Sequence, residues 1–111
     1  MGGREEWETT GFVFSLSNEG DVLRARIRVA AGKVIRFTVQ YETEVDGEPS
    51  PVVRYDSAHG MAHRDLLDDR GRVVEKRWFP GKEYGQVVTN AIADIKANWQ
   101  TYLAGYPRRT P

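Results

Sequence analysis

The sequence predicts an α+β domain: an antiparallel meander sheet of five or six strands with one long C-terminal helix packed across one face. Three observations carry that reading. Apolar and polar residues alternate with period two between Gly11 and Val45, turn-forming clusters separate the alternating runs, and from Tyr84 to Leu103 the period changes to three and four. Short connections favour strands that pair with their sequence neighbours. A single apolar helix stripe then needs one apolar sheet face to cover.

Residues 1–10 read as a flexible N-terminal arm, polar and acidic apart from Trp7, which is able to pin the arm to the body. The domain spans 11–106, and 107–111 form a mobile tail. The first strand sets Phe12, Phe14 and Leu16 on one face and Val13, Ser15 and Ser17 on the other. Asn18-Glu19-Gly20-Asp21 supplies a turn. The second strand alternates Leu23, Ala25, Ile27 and Val29 with Arg24, Arg26 and Arg28, and the third alternates Ile35, Phe37, Val39, Tyr41 and Val45 with Arg36, Thr38, Gln40, Glu42 and Glu44. Their apolar rows align only across a connection with an odd number of residues. Ala31-Gly32-Lys33 meets that condition, with Gly32 in the left-handed position of a bulged turn. The arginines then lie beside Arg36 on the outward face.

Asp46-Gly47-Glu48-Pro49-Ser50-Pro51 reads as a break, because neither proline can donate to a ladder. A hairpin follows, then a turn at Asp68-Asp69-Arg70-Gly71 and a last strand marked by Val73, Val74 and Trp78. Tyr84, Val88, Ala91, Ile92, Ile95, Trp99, Tyr102 and Leu103 form the apolar stripe of a helix of about 20 residues, stopped by Gly105 and Pro107.

Composition removes several function classes. With no cysteine there is neither a disulfide framework nor a thiolate metal site. No run approaches the ~18 apolar residues that cross a bilayer, so the expected location is the cytoplasm, away from membranes. Sixteen basic residues balance sixteen acidic ones, so a nucleic-acid partner must be argued from a local patch rather than from bulk charge. Glycine-rich phosphate loops, a serine elbow and a thiol nucleophile are absent, and nothing asks for a cofactor.

Chemistry concentrates between Val53 and Asp65, which hold both histidines, His59 and His63, with two aspartates and two arginines. Gly60 favours a turn there over a helix. An even connection sets Asp56 opposite Met61, Arg54 opposite His63 and Val52 opposite Asp65, placing Arg54, Asp56, His63 and Asp65 on one face. The odd alternative pairs Arg54 with Arg64, a like-charge contact worth a few tenths to ~1 kcal/mol of destabilisation. On the shared face His63 has the surroundings of a general acid or base, with Asp56 and Asp65 to orient it and Arg54 to hold a phosphate or oxyanion. That is the make-up of a metal-independent ribonuclease or phosphodiesterase site; the alternative, which ion-pair networks commonly realise, is an exposed cross-strand salt-bridge ladder with His59 and Gly60 serving only the turn. Asp56, His59, His63 and Asp65 also offer nitrogen and oxygen ligands, but their spacing matches no established metal motif, and no metal is expected.

Arg24, Arg26, Arg28 and Arg36 are the candidate nucleic-acid-binding residues; the alternative is a solvated face paired with Glu42 and Glu44. Trp99, Tyr102 and Tyr106 have the spacing of core aromatics rather than of a base-stacking surface. On the polar side of the helix, Asp94 and Asn98 are placed to bond each other or to clamp the hairpin.

Two segments, Val53-Arg54-Tyr55-Asp56 through Ala58-His59-Gly60 to His63-Arg64-Asp65 and Asp94-Ile95-Lys96-Ala97-Asn98-Trp99-Gln100-Thr101-Tyr102, resemble a group of small uncharacterised prokaryotic proteins. Those share an Arg-Tyr-Asp, His-Gly, His-x-Asp hairpin and an Asp-Ile-x-x-Asn-Trp-x-x-Tyr helix. More distantly the hairpin is similar to the TumE-like toxins of toxin-antitoxin pairs, with Arg54, Tyr55, Asp56 and His63 at the matching positions. His63-Arg64-Asp65 stands here where those toxins carry His-x-His, and their histidine-rich loop is missing. The resemblance implies an RNA-directed protein with a cognate protein partner. The alternative is a non-enzymatic interaction module that presents the open sheet face or an edge strand to a protein, for example as a homodimer.

Overall fold

A computed structural model describes residues 7–106, the side chain of His59 excepted. Six strands, β1 (Glu8–Ser15), β2 (Val22–Ala30), β3 (Lys33–Val45), β4 (Glu48–Asp56), β5 (His63–Leu67) and β6 (Val73–Trp78), precede one helix, α1 (Tyr84–Gly105). The strands pair antiparallel in sequence order β1-β2-β3-β4-β5-β6, the meander that the short connections imply. The first strand begins at Glu8, inside the stretch read as an arm, and Trp7 lies against Arg28, whose guanidinium carbon is 5.1 Å from the ring centre. The readings of residues 1–6 and 107–111 lie outside the described residues.

Two connections differ from expectation, for one reason. Ala30 pairs with Lys33, so the β2–β3 turn has only Ala31 and Gly32, both at positive φ (51° and 75°). Asp46 and Gly47 repeat this between β3 and β4 with φ of 53° and 79°. Such turns match the twist of a hairpin but fix the wrong parity for the apolar rows. A register shift after Arg28 and another after Tyr41 restore it. Leu23 thus faces Tyr41, Ala25 faces Val39 and Ile27 faces Phe37, as the alternation requires. Pro49 and Pro51 do not break β4. They pair with Glu44 and Glu42, whereas β5 pairs only with residues from Val53 onward, so both lie where β4 has a neighbour on one side.

Helix α1 crosses the face formed by Leu23, Ala25, Phe37, Val39, Tyr41, Val53 and Tyr55, burying Val87, Val88, Ala91 and Ile95 against it. Aromatic rings lock the two layers: Tyr84 meets Phe37 edge-on with centroids 5.5 Å apart, and Trp99 meets Tyr41 at 6.0 Å. Trp99 is therefore partly buried and packed against the core. At 22 residues the helix is ~33 Å long and covers β3 and β4 with part of β2. Every residue of β1 and of β6 stays exposed. No described helix is long and apolar enough to cross a membrane.

Candidate functional site

The β4–β5 hairpin places the chemistry-bearing side chains. Asp56 pairs with His63, Tyr55 with Arg64 and Arg54 with Asp65. This register is displaced by two residues from the expected one, because pairing stops at Asp56 and His63 and leaves six residues, 57–62, in the connection. Displacement by two preserves parity, so Arg54, Asp56, His63 and Asp65 do share the face turned away from α1. The connection is well anchored. Ala58–Gly60 form a single 3₁₀ turn, Gly60 adopts φ 79°, the Ala58 N–H donates to Asp56 Oδ1 at 2.9 Å, and buried Ser57 accepts from the Phe37 N–H at 3.0 Å.

His63 is the centre of this face and is nearly sealed, with 2% of its side chain exposed. Its Nδ1 lies 3.1 Å from the Met61 carbonyl oxygen, which can only accept, so Nδ1 carries the hydrogen. Nε2 then points at two carboxylates, 3.0 Å from Asp56 Oδ1 and 3.5 Å from Asp65 Oδ2. The Trp78 ring covers the imidazole with centroids 5.0 Å apart, and Lys76 Nζ stands 3.0 Å from Asp65 Oδ1. In the sequence Trp78 marks only a strand and Lys76 carries no signal, although the β5–β6 pairing sets both on this face. Arg54 does not join the cluster. Its Nε donates to Gln40 Oε1 at 2.7 Å, and among the described residues it makes no ion pair.

Farther along the same face lie the four expected nucleic-acid-binding arginines. Arg24 is committed to buried Glu42 at 3.0 Å, and Glu42 also accepts from Gln40. Arg26, Arg28 and Arg36 form no ion pair among the described residues. Arg28 and Arg36 stand directly opposite each other, and the three arginines line a small hollow of about 70 Å³ with Thr9, Phe37 and Thr38. Like charges paired across two strands cost a few tenths to ~1 kcal/mol unless an anion offsets them.

A second polar cluster lies between helix and sheet, where the sequence offers Asp94 and Asn98 but not the Tyr55, Tyr102 and Arg64 that join them. Tyr55 and Arg64 alternate with Asp56 and His63 and so face α1, where Asp94 accepts hydrogen bonds from the Tyr55 hydroxyl at 2.6 Å, from the Tyr102 hydroxyl, and from Asn98 Nδ2 at 2.8 Å. The Arg64 guanidinium approaches the Tyr102 oxygen and pairs with Glu75 at 2.6 Å. Burial and then the Asp94 carboxylate push the Tyr55 phenol far above its ordinary range, and the same two causes raise that of Tyr102. Asp94 thus both bonds Asn98 and clamps the hairpin. The spacing of Asp94, Asn98 and Tyr102 along one helix face carried that signal.

Over residues 3–110 the sequence matches the family described as Domain of unknown function (DUF7718). The chain belongs to this family. The match takes in the hairpin, the helix and the first three strands, which the resemblance of the two motifs had left out. Among curated proteins and among solved structures, none matches the chain.

Proposed function

We propose that this protein is RNA-directed and that it holds the phosphate backbone of a single strand on the sheet face opposite α1. One observation carries the reading: Arg26, Arg28 and Arg36 crowd around one hollow with no carboxylate among the described residues to neutralise them. Counterion release on phosphate binding rewards such an array. Arg54, on the same face and free of ion pairs among the described residues, extends it towards the hairpin. Exposed Trp78 offers a stacking surface beside it.

A toxin-antitoxin role, with Asp56 and Asp65 orienting His63 as acid or base, is the finer form of this reading and is supported by the resemblance of the hairpin. Cleavage by that route requires Nε2 to leave both carboxylates and the ring to come out from beneath Trp78. Binding needs no such movement. Gel retardation of an end-labelled single-stranded RNA pool tests the proposal. Wild type should retard it, and the variant Arg26→Gln/Arg28→Gln/Arg36→Gln, folded by circular dichroism, should not. Equal retardation by both proteins, or by neither, contradicts the reading. Incubation of the same pool with wild type and His63→Ala reads the cleavage form separately.

The second reading, a protein-interaction module, has its own support. Among the described residues strand β1 is an uncovered edge, with Phe12, Val13 and Phe14 exposed and no lysine, arginine or proline between Glu8 and Ser15. Pairing of β1 with a cognate protein or a second copy would cover it. Concentration-dependent sedimentation that Val13→Lys abolishes would favour this module, and a monomer at every concentration would remove the homodimer from it.

A further inference from the structure

We propose that Asp56, His63 and Asp65 form a binding site for one divalent transition-metal ion of the zinc or manganese class, with Asp56 Oδ1, His63 Nε2 and Asp65 Oδ2 as its protein ligands. This goes beyond the RNA-directed reading and does not depend on it. The ligand-atom distances are the first argument. One oxygen or nitrogen from each residue lies within 4.8 Å of the others, and Nε2 is 3.0 and 3.5 Å from the two oxygens. Adjacent ligand atoms ~2.0–2.2 Å from a common ion sit roughly 3.0–3.6 Å apart in octahedral or tetrahedral coordination, a range that holds both Nε2 distances.

A proton on Nε2 is the competing explanation, and it accounts for only half of the arrangement. One N–H satisfies Asp56 at 3.0 Å, but 3.5 Å is too long for a hydrogen bond to Asp65. An ion at Nε2 serves both carboxylates at once. Asp65, with 6% of its side chain exposed, gives its Oδ1 to the Lys76 ammonium at 3.0 Å and leaves Oδ2 turned towards Nε2. The imidazole is also held as a ligand is usually held, with Nδ1–H on a backbone carbonyl and Nε2 presented. The ligand set selects the metal class. Magnesium and calcium favour all-oxygen sites, whereas one imidazole with two carboxylates suits zinc or manganese.

Isothermal titration of metal-depleted wild type with Zn²⁺ and with Mn²⁺ tests the site, with Mg²⁺ as control. One equivalent of Zn²⁺ or Mn²⁺ should bind, with affinity reduced at least about tenfold in Asp56→Asn and in Asp65→Asn. Saturation should raise Tm, by about 10 °C at a hundredfold excess over Kd. Because His63 is buried, a readout on otherwise intact protein is included: Co²⁺ should quench tryptophan emission through Trp78, and Trp78→Phe should lose that quenching. Three results would each overturn the proposal: no stoichiometric binding by folded wild type, binding that survives in a folded Asp65→Asn variant, or Co²⁺ quenching that persists in Trp78→Phe. The titration contains no RNA, so its failure leaves the arginine reading standing, and the reverse also holds.

Discussion

Asp94 illustrates how much one side chain can hold, since it accepts from two phenols and an amide at the seam between helix and sheet. Replacing it with alanine strands two half-buried hydroxyls, and urea denaturation should show a loss of about 1–3 kcal/mol. The phenols also set an alkaline limit. Both are raised above the ordinary value of 10.0 by burial first and by Asp94 second. Their contribution is therefore complete below pH 10 and falls as pH rises beyond it, because the unfolded chain ionises first. Absorbance at 295 nm should show a delayed phenolate fraction that shrinks in Tyr55→Phe/Tyr102→Phe. Residue by residue, the sequence displayed parity and little else. Alternation put Asp56, His63 and Asp65 on one face, which the structure bears out, but whether Asp94 reaches Tyr55 depends on where the helix lies across the sheet. The burial of His63 under Trp78 is likewise a contact between strands whose register no local pattern fixes.

At the scale of elements, helix α1 owes its place to packing rather than to its ends. Glu83 occupies the N-cap with extended backbone but makes no side-chain capping bond, and the first turn carries no acid. Glu83→Ser should therefore stabilise the fold by about 0.5–1 kcal/mol in thermal melts. Ile95, fully buried against the sheet, should cost about 2–5 kcal/mol on truncation to alanine. The helix was legible because 3.6-residue periodicity persists over many turns. Strand existence was equally clear, while the turns were not. Ala31-Gly32 and Asp46-Gly47 close two-residue hairpins, and parity is recovered by bulges that have no residue signature of their own. Prolines misled for a related reason, since their tolerance in β4 depends on how far β5 extends alongside it.

For the molecule as a whole, zero net charge conceals a division of labour between the two sheet faces. One is largely apolar and is covered by α1 over β3, β4 and part of β2. The other gathers Arg24, Arg26, Arg28, Arg36 and Arg54 beside the Asp56, His63 and Asp65 cluster. The account stands or falls on whether that second face binds phosphate. The most direct test is the affinity of a labelled single-stranded RNA measured across a range of salt concentrations. Three phosphate contacts predict log K falling with log[salt] at a slope of about −2, made shallower by ~0.7 for each of Arg26, Arg28 and Arg36 replaced by glutamine. A flat salt dependence, or a slope unchanged in the triple variant, would contradict the account.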